Sequence, residues 1–209
     1  MTDVISEFIP EFRNLRFADD GSKRLQVDKS GVTLPLTSLS DGERGVLAMV
    51  FDLTRRLSLA NPQSDDPIEN GEAIVLIDEI ELHLHPKWQR QIVGRLLKAF
   101  PKGQFVVTTH SPQILGELDA RKILILDSGK AHKPLRAFGM DSSRVLEEIM
   151  DAAPRNKTVS DKLRKLAIAV DKFDTPAVSK LLSQLRRQLG DTAPEVLEAE
   201  TMLKFHGGK

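Results

Sequence analysis

The chain has 209 residues, enough for one domain with a sizeable core, and its 30 basic and 30 acidic residues cancel. This balance favours neither nucleic acid nor an acidic membrane surface, so a DNA partner is possible but unsupported by charge. Disulfides and thiolate metal sites are excluded because cysteine is absent. No apolar run approaches the ~20 residues that span a bilayer, so we expect no membrane contact and a cytoplasmic location.

The N-terminal segment predicts a short helix followed by a β-hairpin. Val4–Phe8 is helical in pattern and is followed by Pro10, which breaks a helix. The polar strand-like pieces Asn14–Phe17 and Arg24–Val27 flank Asp20-Gly21, a pair typical of a hairpin turn.

A strand-like piece, Gly31–Leu36, then leads into a long amphipathic helix. This helix opens at Ser38–Asp41, carries apolar residues at helical spacing, and ends near Asn61-Pro62. The stretch LSDGER at Leu39–Arg44 therefore lies at a helix N-terminus.

That helix N-terminus has two interpretations. Ser40, Asp41 and Gly42 suit an ordinary N-cap with acid in the first turn. The same geometry makes an anion site, because exposed amides and the helix dipole favour a phosphate. In that case Gly42 allows close backbone approach, and the Ser40 hydroxyl donates to a γ-phosphate oxygen.

After a predicted surface loop at Pro62–Gly71, a continuous apolar strand ends in two carboxylates. Ile74–Ile77 is typical of a central strand buried on both faces, and it delivers Asp78 and Glu79 to the ligand-binding edge of a parallel sheet. Adjacent strand residues point to opposite faces, which suits Asp78 as a Mg²⁺ ligand through water and Glu79 as general base. The alternative is a solvated acidic pair that closes the strand.

The following segment predicts two further strands with helices between them. An apolar stripe starting at Pro86 and running to Phe100 indicates a helix, Phe105–Thr108 a strand, Ile114–Leu118 a short helix and Ile123–Leu126 another strand. Strands that alternate with helices at these lengths predict right-handed crossovers and a parallel sheet, hence an α/β fold.

Histidines follow each of the predicted strands Ile74–Ile77 and Phe105–Thr108. His110 comes after the second strand and could donate to a γ-phosphate and position a water molecule, or it could be ordinary polar surface. His83 and His85 lie beside Glu81, which gives a weak zinc pattern. We favour a loop that contacts the second copy of a dimer.

From Asp141 onward the pattern is helical and contains no strand. We predict a helical appendage over 141–209, separate from residues 1–140; its helices are Val145–Met150, Val159–Phe173, Ala177–Leu189 and Pro194–Phe205. Such a tail could dock a partner or could pack on its own core.

Together these motifs resemble the ABC-type ATPase superfamily over about residues 31–127. Leu39–Glu43 resembles the LSGGQ signature, Ile74–Glu79 the Walker B strand, Leu82–Pro86 the D-loop, and His110 the switch histidine. The run DEIELHLHP with the later TTHSP is similar to soluble AAA-type ATPases related to RecF and the overcoming-lysogenization-defect proteins. It is especially similar to the ATPases of Septu-like and retron-associated anti-phage systems.

The resemblance implies a parallel-sheet P-loop NTPase lobe, with ATP and Mg²⁺ held at the interface of a homodimer. Asp78 would be the magnesium acid, and Glu79 and His110 would be catalytic. Ser40, Asp41, Gly42 and Glu43 would act on ATP bound by the opposite protomer. Asp41 stands where LSGGQ has its first glycine, and His85 where transporter D-loops carry aspartate.

No G-x-x-x-x-G-K-[ST] occurs in the sequence, so the loop that cradles the α and β phosphates is not encoded. We therefore expect Met1 to be a fragment start and the chain to be an inactive ATPase when alone. The leading hypothesis is the C-terminal lobe of an ATPase acting in anti-phage defence or DNA-linked work. The alternatives are a non-hydrolysing interaction module that docks a nuclease or other effector through its helical tail, and a DNA-repair clamp of the RecF type.

Overall fold

The computed structural model describes residues 2–19, 21 and 24–206. Its backbone divides after Val145 into two compact units. Asp20 of the predicted Asp20-Gly21 turn lies outside the described residues. Whether these units are an ATPase lobe and an appendage, with the predicted boundary at 140/141, stays a prediction.

The N-terminal part of the first unit forms a helix and an antiparallel sheet. Its elements are α1 Thr2–Phe8, β1 Phe12–Phe17, β2 Leu25–Lys29 and β3 Val32–Pro35. The strand β2 is central and pairs antiparallel with both neighbours, with Phe12 opposite Lys29 and Val27 opposite Leu34. Val27 is fully buried, so this small sheet shares the core of the unit.

A parallel β-strand pair and its helices follow. These elements are α2 Asp41–Ala60, α3 Pro67–Asn70, β4 Ala73–Ile77, α4 Pro86–Ala99, β5 Gly103–Val107 and α5 Pro112–Leu115. The strands β4 and β5 pair in register from Ala73 opposite Gly103 to Ile77 opposite Val107. The predicted α/β class with a parallel sheet is therefore confirmed. The predicted loop before β4 contains the short helix α3, which Asp66 caps with its side chain.

The core of this unit lies against one face of the parallel pair. Its buried side chains come from α2 and α4 and also from α1, the antiparallel sheet and the loops between elements, among them Phe8 and Phe100. From the parallel pair, Val75 and Phe105 face this cluster and are partly buried against it.

The other face of the parallel pair is open, so the prediction that β4 is buried on both faces was wrong. Ile74 and Leu76 are 74% and 76% exposed, and Val106 on β5 is 53% exposed. A groove of about 520 Å³ runs between β4 and α2. An apolar run is compatible with burial of both faces of a strand but does not require it, and in the described part of the chain this face stays largely exposed.

The prediction that Ile123–Leu126 joins the parallel sheet was also wrong. The strand β6, Ile125–Asp127, pairs antiparallel with β7, Lys130–His132, as a separate two-stranded hairpin. Ser128 and Gly129 between them have φ of 47° and 77°. Two positive φ values match the turn that joins twisted antiparallel strands, so the local turn decides the pairing.

The remaining helices are α6 Ser142–Glu148, α7 Lys157–Asp171, α8 Thr175–Leu189 and α9 Pro194–His206. The last three belong to the second unit and form their own core, in which Val178, Leu185 and Val196 are fully buried. Among the residues that the structure describes, no helix is both long and apolar enough to cross a membrane.

Candidate functional site

The first part of the site is the acidic pair that follows β4. The strand ends at Ile77, and Asp78 and Glu79 are exposed just beyond it. Glu79 has φ of 48°, a left-handed conformation that residues with a side chain rarely adopt. The expected alternation of the two side chains across a strand therefore does not apply, because the extended backbone has already ended.

Thr108, the residue after β5, forms hydrogen bonds with both Asp78 and Glu79. Its hydroxyl donates to Asp78 Oδ1 and accepts from the Glu79 backbone N–H at 2.8 Å. The Thr108 N–H donates to the Ile77 carbonyl at 3.0 Å, and the Ile80 N–H donates to the Thr108 carbonyl at 3.2 Å. The ends of the two strands are thus locked together, which places Asp78 and Glu79 at one edge of the sheet.

His110 reaches the same edge through the loop after β5. Its backbone N–H donates to Glu81 Oε1, and its side chain is exposed. Beside it, the buried Ser111 hydroxyl contacts Gln89 Oε1 at 2.7 Å, and Gln89 Nε2 donates to the Leu84 carbonyl at 2.8 Å. The loops after β4 and β5 are therefore joined at several points, and His110 lies within that network.

The residues at this edge fit a magnesium ion. The Asp78 carboxylate and the Thr108 hydroxyl are hard oxygen donors, and Asp78 Oδ2 has no hydrogen bond to any residue that the structure describes. Mg²⁺ in nucleotide sites takes one or two protein oxygens and fills its shell with phosphates and water. Within the described ranges no three His, Cys, Asp or Glu side chains form a metal cluster.

The residues of the possible zinc pattern, His83, His85 and Glu81, are not joined in one cluster. His85 caps α4, since its Nδ1 accepts the Lys87 N–H at 3.2 Å. His83 has φ of 62° and is exposed. Glu81 bonds to His110. Glu81 and His85 thus have separate partners, and the three side chains do not form a metal cluster within the described residues.

Ser40 and Glu43 form a reciprocal cap at the start of α2. The Glu43 N–H donates to Ser40 Oγ at 3.3 Å, while the Ser40 N–H and hydroxyl both donate to Glu43 Oε2 at 2.9 Å. The Ser40 hydroxyl proton is therefore directed to Glu43 in this structure. Asp41 is exposed and pairs with Arg44.

Glu43 is buried and paired with a lysine from the antiparallel sheet. Lys29 Nζ lies 2.5 Å from Glu43 Oε1, and the same ammonium lies 6.0 Å from the Phe12 ring centroid. Burial of the Glu43 carboxyl opposes its ionisation, but the hydrogen bonds from Lys29 and Ser40 outweigh this, so its pKa lies below the ordinary value.

Gly42 links the start of α2 to the loop after β4. A Cβ at Gly42 would lie 2.4 Å from the His83 carbonyl oxygen and 3.6 Å from Leu84 Cα. The close approach that the sequence predicted at Gly42 is thus made here to the chain's own backbone. It leaves the start of α2 touching the segment that follows Asp78 and Glu79.

The structure gathers Asp78, Glu79 and His110 at one edge, whereas Ser40–Glu43 lie on a separate helix end. Sequence reasoning missed Thr108 and Lys29, which bond to predicted site residues. Thr108 stands in the same motif as His110, so its position after β5 was a usable signal. Lys29 lies on another strand, and nothing local in the sequence pairs it with Glu43.

Residues 2–116 match the family described as "AAA domain, putative AbiEii toxin, Type IV TA system", which is more than half of the chain. The chain belongs to this AAA family. The residues matched include both strand ends and the N-terminus of α2, so the geometry above lies in the domain that defines the family.

The AAA chain is similar in sequence to two retron ATPases and to a Septu protein. It is 39% identical over 203 residues to the "Retron Ec83 probable ATPase" of Escherichia coli. It is 40% identical over 125 residues to the "Retron Vc95 probable ATPase" of Vibrio cholerae, and 42% identical over 94 residues to the "Septu protein PtuA" of Bacillus mycoides.

These relatives are much longer than the AAA chain. The alignments cover 94%, 60% and 44% of this chain but only 37%, 24% and 13% of the relatives, in the order given. A solved SMC ATPase structure aligns over 71% of this chain and 88% of its own, at 17% identity and a TM-score of 0.47. That likeness is too distant to carry an argument.

Proposed function

We propose that this AAA chain supplies part of an ATP-hydrolysing site, the part that holds the metal and activates water. The observation that carries the proposal is the edge where β4 and β5 end: there Thr108 bonds to Asp78 and to the Glu79 backbone, and Glu81 in the same loop holds the His110 backbone. Ligands of open α/β sheets bind at the carboxyl ends of parallel strands.

Each residue at this edge has a role that its position supports. Asp78 would hold Mg²⁺, which when bound neutralises charge on the phosphates. Glu79 would accept the proton of the attacking water, and the bond from its backbone N–H to Thr108 fixes where its side chain leaves the main chain. His110 would donate to the terminal phosphate.

We infer that the start of α2 acts on a nucleotide bound by a second copy of the protein. Ser40, Asp41 and Gly42 lie at the positive end of a 20-residue helix, where an anion is favoured. Glu43 would organise this end by holding Ser40. For Ser40 to donate to a phosphate, its hydroxyl must turn away from Glu43.

The biological setting that we propose is anti-phage defence. It rests on the retron and Septu relatives, which share 39–42% identity with the aligned parts of this chain. A partner nuclease or other effector would then respond to the nucleotide state.

The test is the variant Glu79→Gln in the complete assembly that supplies the phosphate loop. We expect ATP turnover to fall about 10²- to 10⁴-fold, since the general base is lost, while ATP binding is retained. Turnover is followed by phosphate release and binding by a fluorescent ATP analogue.

Glu72→Gln is the matched control, because Glu72 is an exposed glutamate just before β4 and contacts none of the site residues described above. It should leave turnover unchanged. If Glu79→Gln turns ATP over at the wild-type rate, the assignment of the base is wrong.

A second candidate is an interaction module that does not hydrolyse ATP and docks an effector through its helices. It is supported by the separate core of α7, α8 and α9 and by the exposed apolar residue Leu197, which is 48% exposed. Failure of the wild-type assembly to bind Mg·ATP would favour this candidate.

A further inference from the structure

Glu81 bridges the two loops that form the candidate site. It lies in the loop after β4, and its Oε1 accepts the backbone N–H of His110 in the loop after β5. The two residues are 29 positions apart in sequence. Because the bond is made to the backbone of His110, it sets where the chain carries the imidazole and leaves the ring itself free to bind a ligand.

The second carboxylate oxygen of Glu81 lacks the hydrogen bond that buried polar atoms ordinarily have. Glu81 Oε2 is buried and accepts no hydrogen bond from the described residues. A buried oxygen without a donor has lost its water and gained no partner, and such atoms in native proteins call for a reason. If the Glu81 carboxylate served only to stabilise the fold, this unpaired oxygen would make it unfavourable at this position.

The surrounding loop does not depend on Glu81 alone. The Ile80 N–H is held by the Thr108 carbonyl, and the Leu84 carbonyl accepts from Gln89 Nε2, which belongs to α4. Gly42 packs against the same loop at His83. Removing the Glu81 carboxylate should therefore leave the loop in place and release chiefly the His110 backbone.

We propose that Glu81 is a positioning residue for His110. It fixes the His110 peptide so that the imidazole stands beside Asp78 and Glu79, and it acts on the nucleotide only through His110. This inference rests on the proposed function for its effect on turnover, but the bond to His110 is testable without nucleotide.

The variants Glu81→Ala and Glu81→Gln separate this role from general stabilisation. The first removes the acceptor for the His110 N–H, and the second keeps an acceptor oxygen of the same reach. Glu117→Ala is the control, because Glu117 is an exposed acid whose carboxylate forms a surface ion pair with Arg90 at 3.0 Å.

The first measurement is the NMR signal of the His110 amide in the 209-residue chain. We expect an upfield shift and faster hydrogen exchange in Glu81→Ala, and near wild-type values in Glu81→Gln and the control. An amide that is unchanged in Glu81→Ala would overturn the inference. Retention of the remaining amide signals shows that the variant is folded.

The second measurement is steady-state ATP hydrolysis in the complete assembly. Misplacement of a catalytic group by about 1 Å can cost on the order of 100-fold, so kcat should fall about 10- to 100-fold in Glu81→Ala while KM stays within about threefold. Glu81→Gln should restore most of kcat. An unchanged kcat in Glu81→Ala, in an assembly that Glu79→Gln inactivates, would overturn the catalytic part.

The two proposals fail in different ways. If the wild-type assembly shows no turnover, the proposed function is wrong, and the His110 amide still decides whether Glu81 positions that residue. If Glu79→Gln inactivates the assembly but Glu81→Ala changes neither the amide nor kcat, only the inference about Glu81 is wrong.

Discussion

Gly42 is the residue at which the start of α2 touches the loop that follows Asp78 and Glu79. The variant Gly42→Ala would force its Cβ to within 2.4 Å of the His83 carbonyl oxygen, which is backbone and cannot rotate away. We expect the free energy of unfolding to fall by about 1–3 kcal/mol, as in other overpacked sites. Urea denaturation followed by circular dichroism measures it.

Gly45 provides the control on the same helix. A Cβ at Gly45 would meet nothing within 4 Å, so Gly45→Ala should raise the free energy of unfolding by about 0.5–1 kcal/mol through helix propensity alone. Equal effects of the two variants would show that the contact between Gly42 and His83 is absent in solution.

At the scale of elements, the cap of α2 depends on one ionised carboxylate. Glu43 holds Ser40 and is held by Lys29, and its pKa in the folded chain lies below the ordinary value. A lowered pKa means that the stabilisation is fully present above the unfolded pKa, about 4.3, and is lost as pH falls through the folded pKa.

The variant Glu43→Gln tests this dependence. At pH 7 we expect it to be less stable than the wild type by about 1.5–3 kcal/mol, the range for a hydrogen bond to a charged group. Below the unfolded pKa this difference should narrow, because a proton then binds the unfolded Glu43 carboxyl more readily than the folded one, and it closes as pH falls through the folded pKa. A stability difference between the wild type and Glu43→Gln that is independent of pH between 7 and 3 would argue against the ion pair of Glu43 with Lys29. Thermal unfolding in a pH series provides the data.

The helices and the pairings of β1 with β2 and of β4 with β5 could be predicted from sequence, whereas the partner of Ile123–Leu126 could not. Periodic apolar residues and clear caps mark α2 and α4 locally, so their positions were predicted to within a few residues. The apolar run at Ile123–Leu126 marks a strand but not its partner. That partner is β7, which the sequence reading missed, and the turn at Ser128-Gly129 brings the two together.

For the candidate site, too, the positions of the motifs could be predicted from sequence and the contacts between them could not. The order of the polar motifs placed Asp78, Glu79 and His110 at strand ends, because a parallel sheet brings such ends to one edge. The bonds that connect them, through Thr108 and Glu81, join residues far apart in sequence. Their geometry depends on register and on the left-handed turn at Glu79, which no local pattern encodes.

At the scale of the whole molecule, we expect the open face of β4 and β5 to promote self-association of the chain. Exposed apolar patches on an extended strand favour association. The variants Ile74→Thr and Leu76→Thr should weaken self-association of the 209-residue chain, with a dissociation constant about tenfold higher for each 1.4 kcal/mol of apolar contact removed. Sedimentation velocity over a concentration series measures this.

Val75→Thr is the matched control for this face. Val75 lies between the two exposed residues but points into the core, so its replacement should lower stability rather than association. Self-association that is equal in the wild type, Ile74→Thr and Leu76→Thr would show that this face is not the contact.

The same open face sets how the protein responds to salting-out. Sulfate and similar salts are excluded from protein surfaces and strengthen apolar contacts. Ile74, Leu76 and Val106 are exposed to water, so the wild-type chain has more apolar surface to bury on association than the threonine variants. It would precipitate first along an ammonium sulfate gradient, so fractional precipitation alone would separate it from them.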